Sequence, residues 1–146
     1  MYICRKFEEK MDTYRRAYRK FGNQGLFDSE ERTSMLNALG NPLERLSETI
    51  DFEMFRETLE MGLYRERLMN AGAKPYDYVL MFKILVLQRM YNLSDEQTEY
   101  QIVDRTSFRN FLGLASGDRV PDARTIWTFK EQLTRKKLYD KLFAEL

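Results

Sequence analysis

The 146 residues are enough for one domain with a buried core, and 43% hydrophobic with 32% charged residues is a globular balance rather than a disordered one. A single cysteine and no histidine exclude an intrachain disulfide, an imidazole proton relay and a histidine-built zinc site. The net charge of +1 is unevenly spread: residues 1–20 hold seven Lys/Arg against three Asp/Glu, 21–101 eight against fourteen, and 102–137 eight against four. Two basic segments around an acidic middle point to a nucleic-acid or acidic partner.

Residues 2–21 read as an amphipathic helix. Ile3, Phe7, Met11, Tyr14, Tyr18 and Phe21 fall at spacings of three and four, which puts them on one stripe. The run from Phe7 to Phe21 is a packing stripe against the same chain or the seam of a homodimer. Gly22-Asn23-Gln24-Gly25 closes it as a linker. The organisation expected is an N-terminal basic helix and linker over 1–25 and a helical domain over 26–146. The polar N-terminus does not read as a signal peptide. The lone Cys4 fits a reducing compartment, so a cytoplasmic protein is expected.

Asp28 or Ser29, with Glu31, is expected to cap the next helix, with Leu36 and Leu39 facing inward and Gly40 ending it. Asn41-Pro42 opens a short helix with Leu43 and Leu46. Asp51 begins another, with Phe52, Phe55 and Leu59 on one face and Gly62 near its end. Residues 71–75 form a break.

Tyr76 to Tyr91 reads as a helix apolar nearly all round, fit for the middle of a core or an obligate interface. Its most apolar stretch is about ten residues, short of the roughly 20 that a membrane span needs. Ser94 to Gln97 is a capping box. Ser107 is expected to cap the following helix, whose Phe108, Phe111 and Leu112 share a face, and Gly113 closes it. Residues 115–121 are a surface loop.

Asp122 is an N-cap whose carboxylate can accept the Thr125 backbone N–H. In the helix that follows, Ile126, Phe129 and Leu133 form an inward stripe. Arg124, Thr128, Glu131 and Arg135 point the other way, with Trp127 and Gln132 at the edges. Arg119 precedes this helix and Arg135-Lys136-Lys137 ends it, while the shorter helices before it carry Arg105 and Arg109. Short helices followed by an exposed polar-basic one suit a helix-turn-helix arrangement, where the last helix enters the major groove of double-stranded DNA. Asp95, Glu96, Glu99 and Asp122 are the carboxylates nearest to a metal-site pattern. Capping and helix-dipole compensation account for Asp95, Glu96 and Asp122, so no metal is expected.

Three patches carry a family resemblance. They are Tyr91-Asn92-Leu93-Ser94-Asp95-Glu96, Asp104-Arg105-Thr106-Ser107-Phe108-Arg109-Asn110-Phe111-Leu112-Gly113-Leu114, and Val120-Pro121-Asp122-Ala123-Arg124-Thr125-Ile126-Trp127. In this order and spacing, residues 74–133 resemble the N-terminal domain of InsH-like transposases, the insertion-sequence-five group of bacterial mobile elements. Asn41-Pro42-Leu43 and Ile50 to Arg56 extend the likeness to about residues 40–135.

The resemblance implies an all-helical domain that recognises the terminal inverted repeats of the element. It implies DNA-binding roles for Arg105, Arg109, Arg124, Thr125 and Thr128. In that group a ribonuclease-H-like catalytic domain follows, with an Asp-Asp-Glu triad and two divalent metals. Nothing here matches that domain, so no catalytic residue and no cofactor are expected in this chain. The other readings are a dimerisation module built on the 2–21 stripe and the 76–91 helix, or a transcriptional regulator derived from a transposase.

Overall fold

The computed structural model describes residues 25–69 and 75–146, with the side chains of 64–69 left aside. The stripe of Phe7, Met11, Tyr14, Tyr18 and Phe21 and most of the 22–25 linker lie outside these residues. The chain divides into two compact units, 1–30 and 31–146. In the described part of the first, the Gly25 N–H donates to the Asp28 carboxylate at 2.7 Å. Asp28 therefore accepts from a residue upstream of its helix.

Among the described residues all regular structure is helical, as the composition leads one to expect. The helices are α1 (Asp28–Ala38), α2 (Pro42–Thr49), a 3-10 turn (Phe52–Phe55), α3 (Arg56–Met69), α4 (Tyr78–Met90), α5 (Asp95–Asp104), α6 (Thr106–Leu112), α7 (Ala123–Arg135) and α8 (Tyr139–Ala144). Local chemistry sets most of their ends. Asn41, Asp51, Asp77, Ser94 and Asp122 each accept a backbone N–H of the turn they start, which meets donors that the helix itself leaves orphaned. Ser94 and Gln97 form the full reciprocal box. Gly40 at φ +89 and Gly113 at φ +73 end α1 and α6 in the left-handed region.

Helix α4 is the axis of the fold. Nine of its residues are buried, from Tyr78 to Gln88. Helices α3, α5, α6 and α7 and the 3-10 turn all pack on it. Phe82, with no exposed surface, meets Phe55 at 4.9 Å and Phe143 at 5.5 Å between ring centroids. Phe52 and Phe111 meet edge to face at 5.5 Å. Fully burying a ring such as Phe82 contributes about 1.5–3 kcal/mol, as does each buried leucine or isoleucine beside it, so the rings and the aliphatic side chains of α4 share the core. The apolar 76–91 segment is thus spent inside its own chain, and the interface role open to it in the sequence is closed.

Four expectations are corrected. Leu39 is 84% exposed and α1 buries no residue. Its sequence has no continuous apolar stripe, and it is tied to the body by polar contacts instead: Asn110 Nδ2 donates to Thr33 Oγ1 at 3.0 Å, and Asn37 Nδ2 to Glu44 Oε1 at 2.8 Å. Gly62 does not end α3, which continues to Met69. Its bare Cα faces Leu138, whose side chain would meet any added Cβ. Ser107 lies inside α6; the N-cap is Arg105, extended and without a side-chain cap bond. The last helix, expected from the sequence over about 136–145, starts only at Tyr139; a turn over 136–138 separates it from α7.

Candidate nucleic-acid interface

Helix α7 is held on three sides. Its apolar stripe, Ile126, Phe129 and Leu133, is buried, and Phe129 stacks on Tyr78 of α4 at 6.3 Å. Its first turn is capped twice. Asp122 accepts the Thr125 N–H at 2.8 Å, and Glu99 of α5 accepts the Ala123 N–H at 2.8 Å. Hydrogen bonds from Thr125, side chain first and then backbone, hold the Asp122 carboxyl below the usual carboxylate range, with smaller pulls from Arg119 and Arg124.

In its second half, Lys130 Nζ donates to Asp95 Oδ1 at 2.8 Å and lies 3.4 Å from Gln88 Oε1, while Gln88 Nε2 donates to the same Asp95 oxygen at 2.7 Å. Burial pushes the Asp95 carboxyl up. Lys130 and Gln88 together outweigh it, so Asp95 ends below its ordinary value. This network joins α4, α5 and α7 and fixes the roll of α7 on the body.

The opposite side of α7 is solvent-facing. Arg124, Trp127, Thr128, Glu131, Thr134 and Arg135 are exposed, and so are Lys136 and Lys137 beyond its end. Trp127 is 52% exposed. The helix closes with a left-handed Lys137 at φ +57. The Lys137 N–H donates to the Thr134 carbonyl at 3.0 Å and the Leu138 N–H to the Leu133 carbonyl at 2.9 Å. This is the Schellman pattern, with lysine where glycine is usual.

Of the residues singled out in the sequence, α7 thus gathers Arg124, Thr128 and Arg135 on one face. Arg119 and Arg124 both act on Asp122, and Lys136 and Lys137 lie at the far end. Thr125 is half-buried and serves the cap. Arg109 Nη2 donates to the carbonyls of Ala115 and Ser116 at 2.6 and 3.2 Å and lies 3.3 Å from that of Asp118, so it organises the 115–118 loop. Arg105 lies over the rings of Phe108 and Tyr91, at 5.1 and 5.7 Å from their centroids.

Lys130, Gln88 and the capping role of Glu99 escaped the sequence reading. The bonds of Glu99 to Ala123 and of Lys130 to Asp95 and Gln88 span 24 to 42 positions of chain, and Gln88 meets Asp95 across the α4–α5 turn. Among the described residues no group of acidic or sulfur side chains forms a metal cluster. No described helix is long and apolar enough to cross a membrane.

A family model described as Transposase domain (DUF772) matches residues 30–132. The chain belongs to this transposase domain family. The matched span runs from α1 into α7, so it takes in the aromatic cluster except Phe143, the Asp95–Lys130 network and most of the exposed α7 face. No solved structure matches this chain.

Proposed function

We propose that this transposase domain binds double-stranded DNA at the ends of a mobile element, as in InsH-like transposases, with α7 as the reading helix. One observation carries the reading. α7 seals one side in the core and presents Arg124, Trp127, Thr128 and Arg135 to solvent on the other, continued by Lys136 and Lys137. The guanidinium and ammonium groups on this side donate to base edges and phosphates. Helix α5 packs on both α6 and α7, and Arg105 alone joins α5 to α6. That arrangement suits helix-turn-helix docking, with the last helix in the major groove.

The test is a mobility-shift titration of the chain against duplexes carrying the element's terminal repeats and against scrambled duplexes, at two salt concentrations. Tighter binding to the repeats is expected, weakening with salt by a slope of about −0.9 per phosphate contact. Equal affinity for the scrambled duplexes, or affinity indifferent to salt, would overturn the reading.

A further inference from the structure

Trp127 is the only tryptophan of the chain, and about half of its surface is open to water on a helix whose other large apolar residues are buried. It stands one turn beyond Arg124, beside Thr128, on the outward side of α7. The Thr128 hydroxyl donates to the Arg124 carbonyl at 2.8 Å. With that proton spent, Thr128 has no hydrogen to donate and offers a partner its γ-methyl beside an accepting oxygen. The indole and this methyl form an apolar step midway along a face whose other exposed residues, Arg124, Glu131, Thr134 and Arg135, are polar or charged.

A groove that receives this face must offer an apolar group at the same place. In the major groove only thymine does so, through its C5 methyl. Resting on the DNA-binding reading above, we propose that Trp127, with Thr128, is a specificity-determining residue that recognises thymine methyl groups in the major groove.

Every helical turn advances about 5.4 Å and every base pair about 3.4 Å. The thymine contact therefore falls one or two base pairs from the base pair that faces Arg124. The contact excludes water from a methyl group and an indole edge, which is worth about fourfold in affinity per methyl.

The experiment uses the whole chain and a duplex selected by it from a randomised pool. Each thymine is replaced in turn by uracil, which removes the methyl and leaves the pairing edge intact. The parent chain is expected to lose about fourfold in affinity at one or two positions. Trp127→Ala is expected to bind the thymine and uracil duplexes equally, and Trp127→Phe to keep part of the preference. Because tryptophan emission reports on Trp127 alone, it is also expected to change as the duplex saturates the chain.

A parent chain that binds every uracil duplex as tightly as the thymine one would overturn the inference while leaving DNA binding intact. An Ala variant that keeps the thymine preference would do the same. A parent chain that selects no duplex at all would overturn the DNA reading, and this inference with it.

Discussion

Glu99 of α5 accepts the backbone N–H of Ala123 at 2.8 Å, across 24 positions of chain. With Asp122 on Thr125 at 2.8 Å, two donors of the first turn of α7 are met by carboxylates. Those two N–H groups are therefore not available to a phosphate, as they would be at a bare helix N-terminus. The positive charge available to a DNA backbone is on side chains instead: Arg119 and Arg124 beside the cap, and Lys136 and Lys137 at the far end.

The first prediction concerns that cap. Glu99→Ala is expected to cost about 1 kcal/mol and to lower the melting temperature by roughly 3–4 °C. Glu99→Gln keeps an oxygen that can accept the Ala123 N–H and is expected to melt close to the parent. A circular-dichroism melt separates the two. An Ala variant that melts with the parent would show that α7 is fixed without the cap.

A second prediction follows from the Asp95 network. Asp95→Ala strands the half-buried Lys130 ammonium and Gln88, which is only 8% exposed. Leaving such groups unmet costs about 1–3 kcal/mol. The pH dependence has a definite sign. Asp95 ends below its ordinary value, so its contribution is full above the unfolded-state pKa and is lost as pH falls through and below that value, near 4. Glu53 and Asp77, both held low by Arg56, and Asp122, held low by Thr125, act in the same direction but are more exposed and screened. Urea titrations at pH 7 and pH 3 are expected to show a smaller loss for Asp95→Asn than for the parent.

These two examples show where sequence reading reached and where it stopped. The caps of Asn41, Ser94 and Asp122 were legible because each spans two or three residues, and the stripe of Ile126, Phe129 and Leu133 was legible from its period. The apolar run 76–91 was legible as a helix, but whether core or interface would bury it was not. Only the packing of four helices around it decides that. Leu39 was misplaced because a leucine at helical spacing says nothing of whether a neighbour exists to cover it. Arg105 and Arg109 looked like the arginines of α7 by composition. Their ring and loop partners come from the fold.

A third prediction exploits Lys137. A non-glycine residue at φ +57 costs up to about 1 kcal/mol relative to glycine. Lys137→Gly is therefore expected to stabilise the chain by about that amount in a thermal melt. If Lys137 meets a phosphate, the same change lowers the slope of log affinity against log salt by about 1. Stability up and salt dependence down is an outcome that no purely structural role for this lysine produces. An unchanged slope would remove it from the interface.

The last prediction separates two arginines that the sequence grouped together. Arg124 is exposed on the outward face of α7, so Arg124→Ala is expected to shift stability by no more than about 0.5 kcal/mol. Its cost should appear in DNA affinity, at about 1–3 kcal/mol with relaxed specificity. Arg105 lies over Tyr91 and Phe108, at the N-cap position of α6 but without a side-chain cap bond. Each cation–π contact is worth about 0.5–1 kcal/mol. Arg105→Ala should therefore lower the melting temperature, and Arg105→Lys should recover only part of it, since an ammonium lacks the planar face that lies over the rings. Melting and mobility-shift measurements on the same variants read both axes. If Arg124→Ala lowered the melting temperature as much as Arg105→Ala, its guanidinium would be a packing element, and α7 would lose the residue on which its reading role chiefly rests.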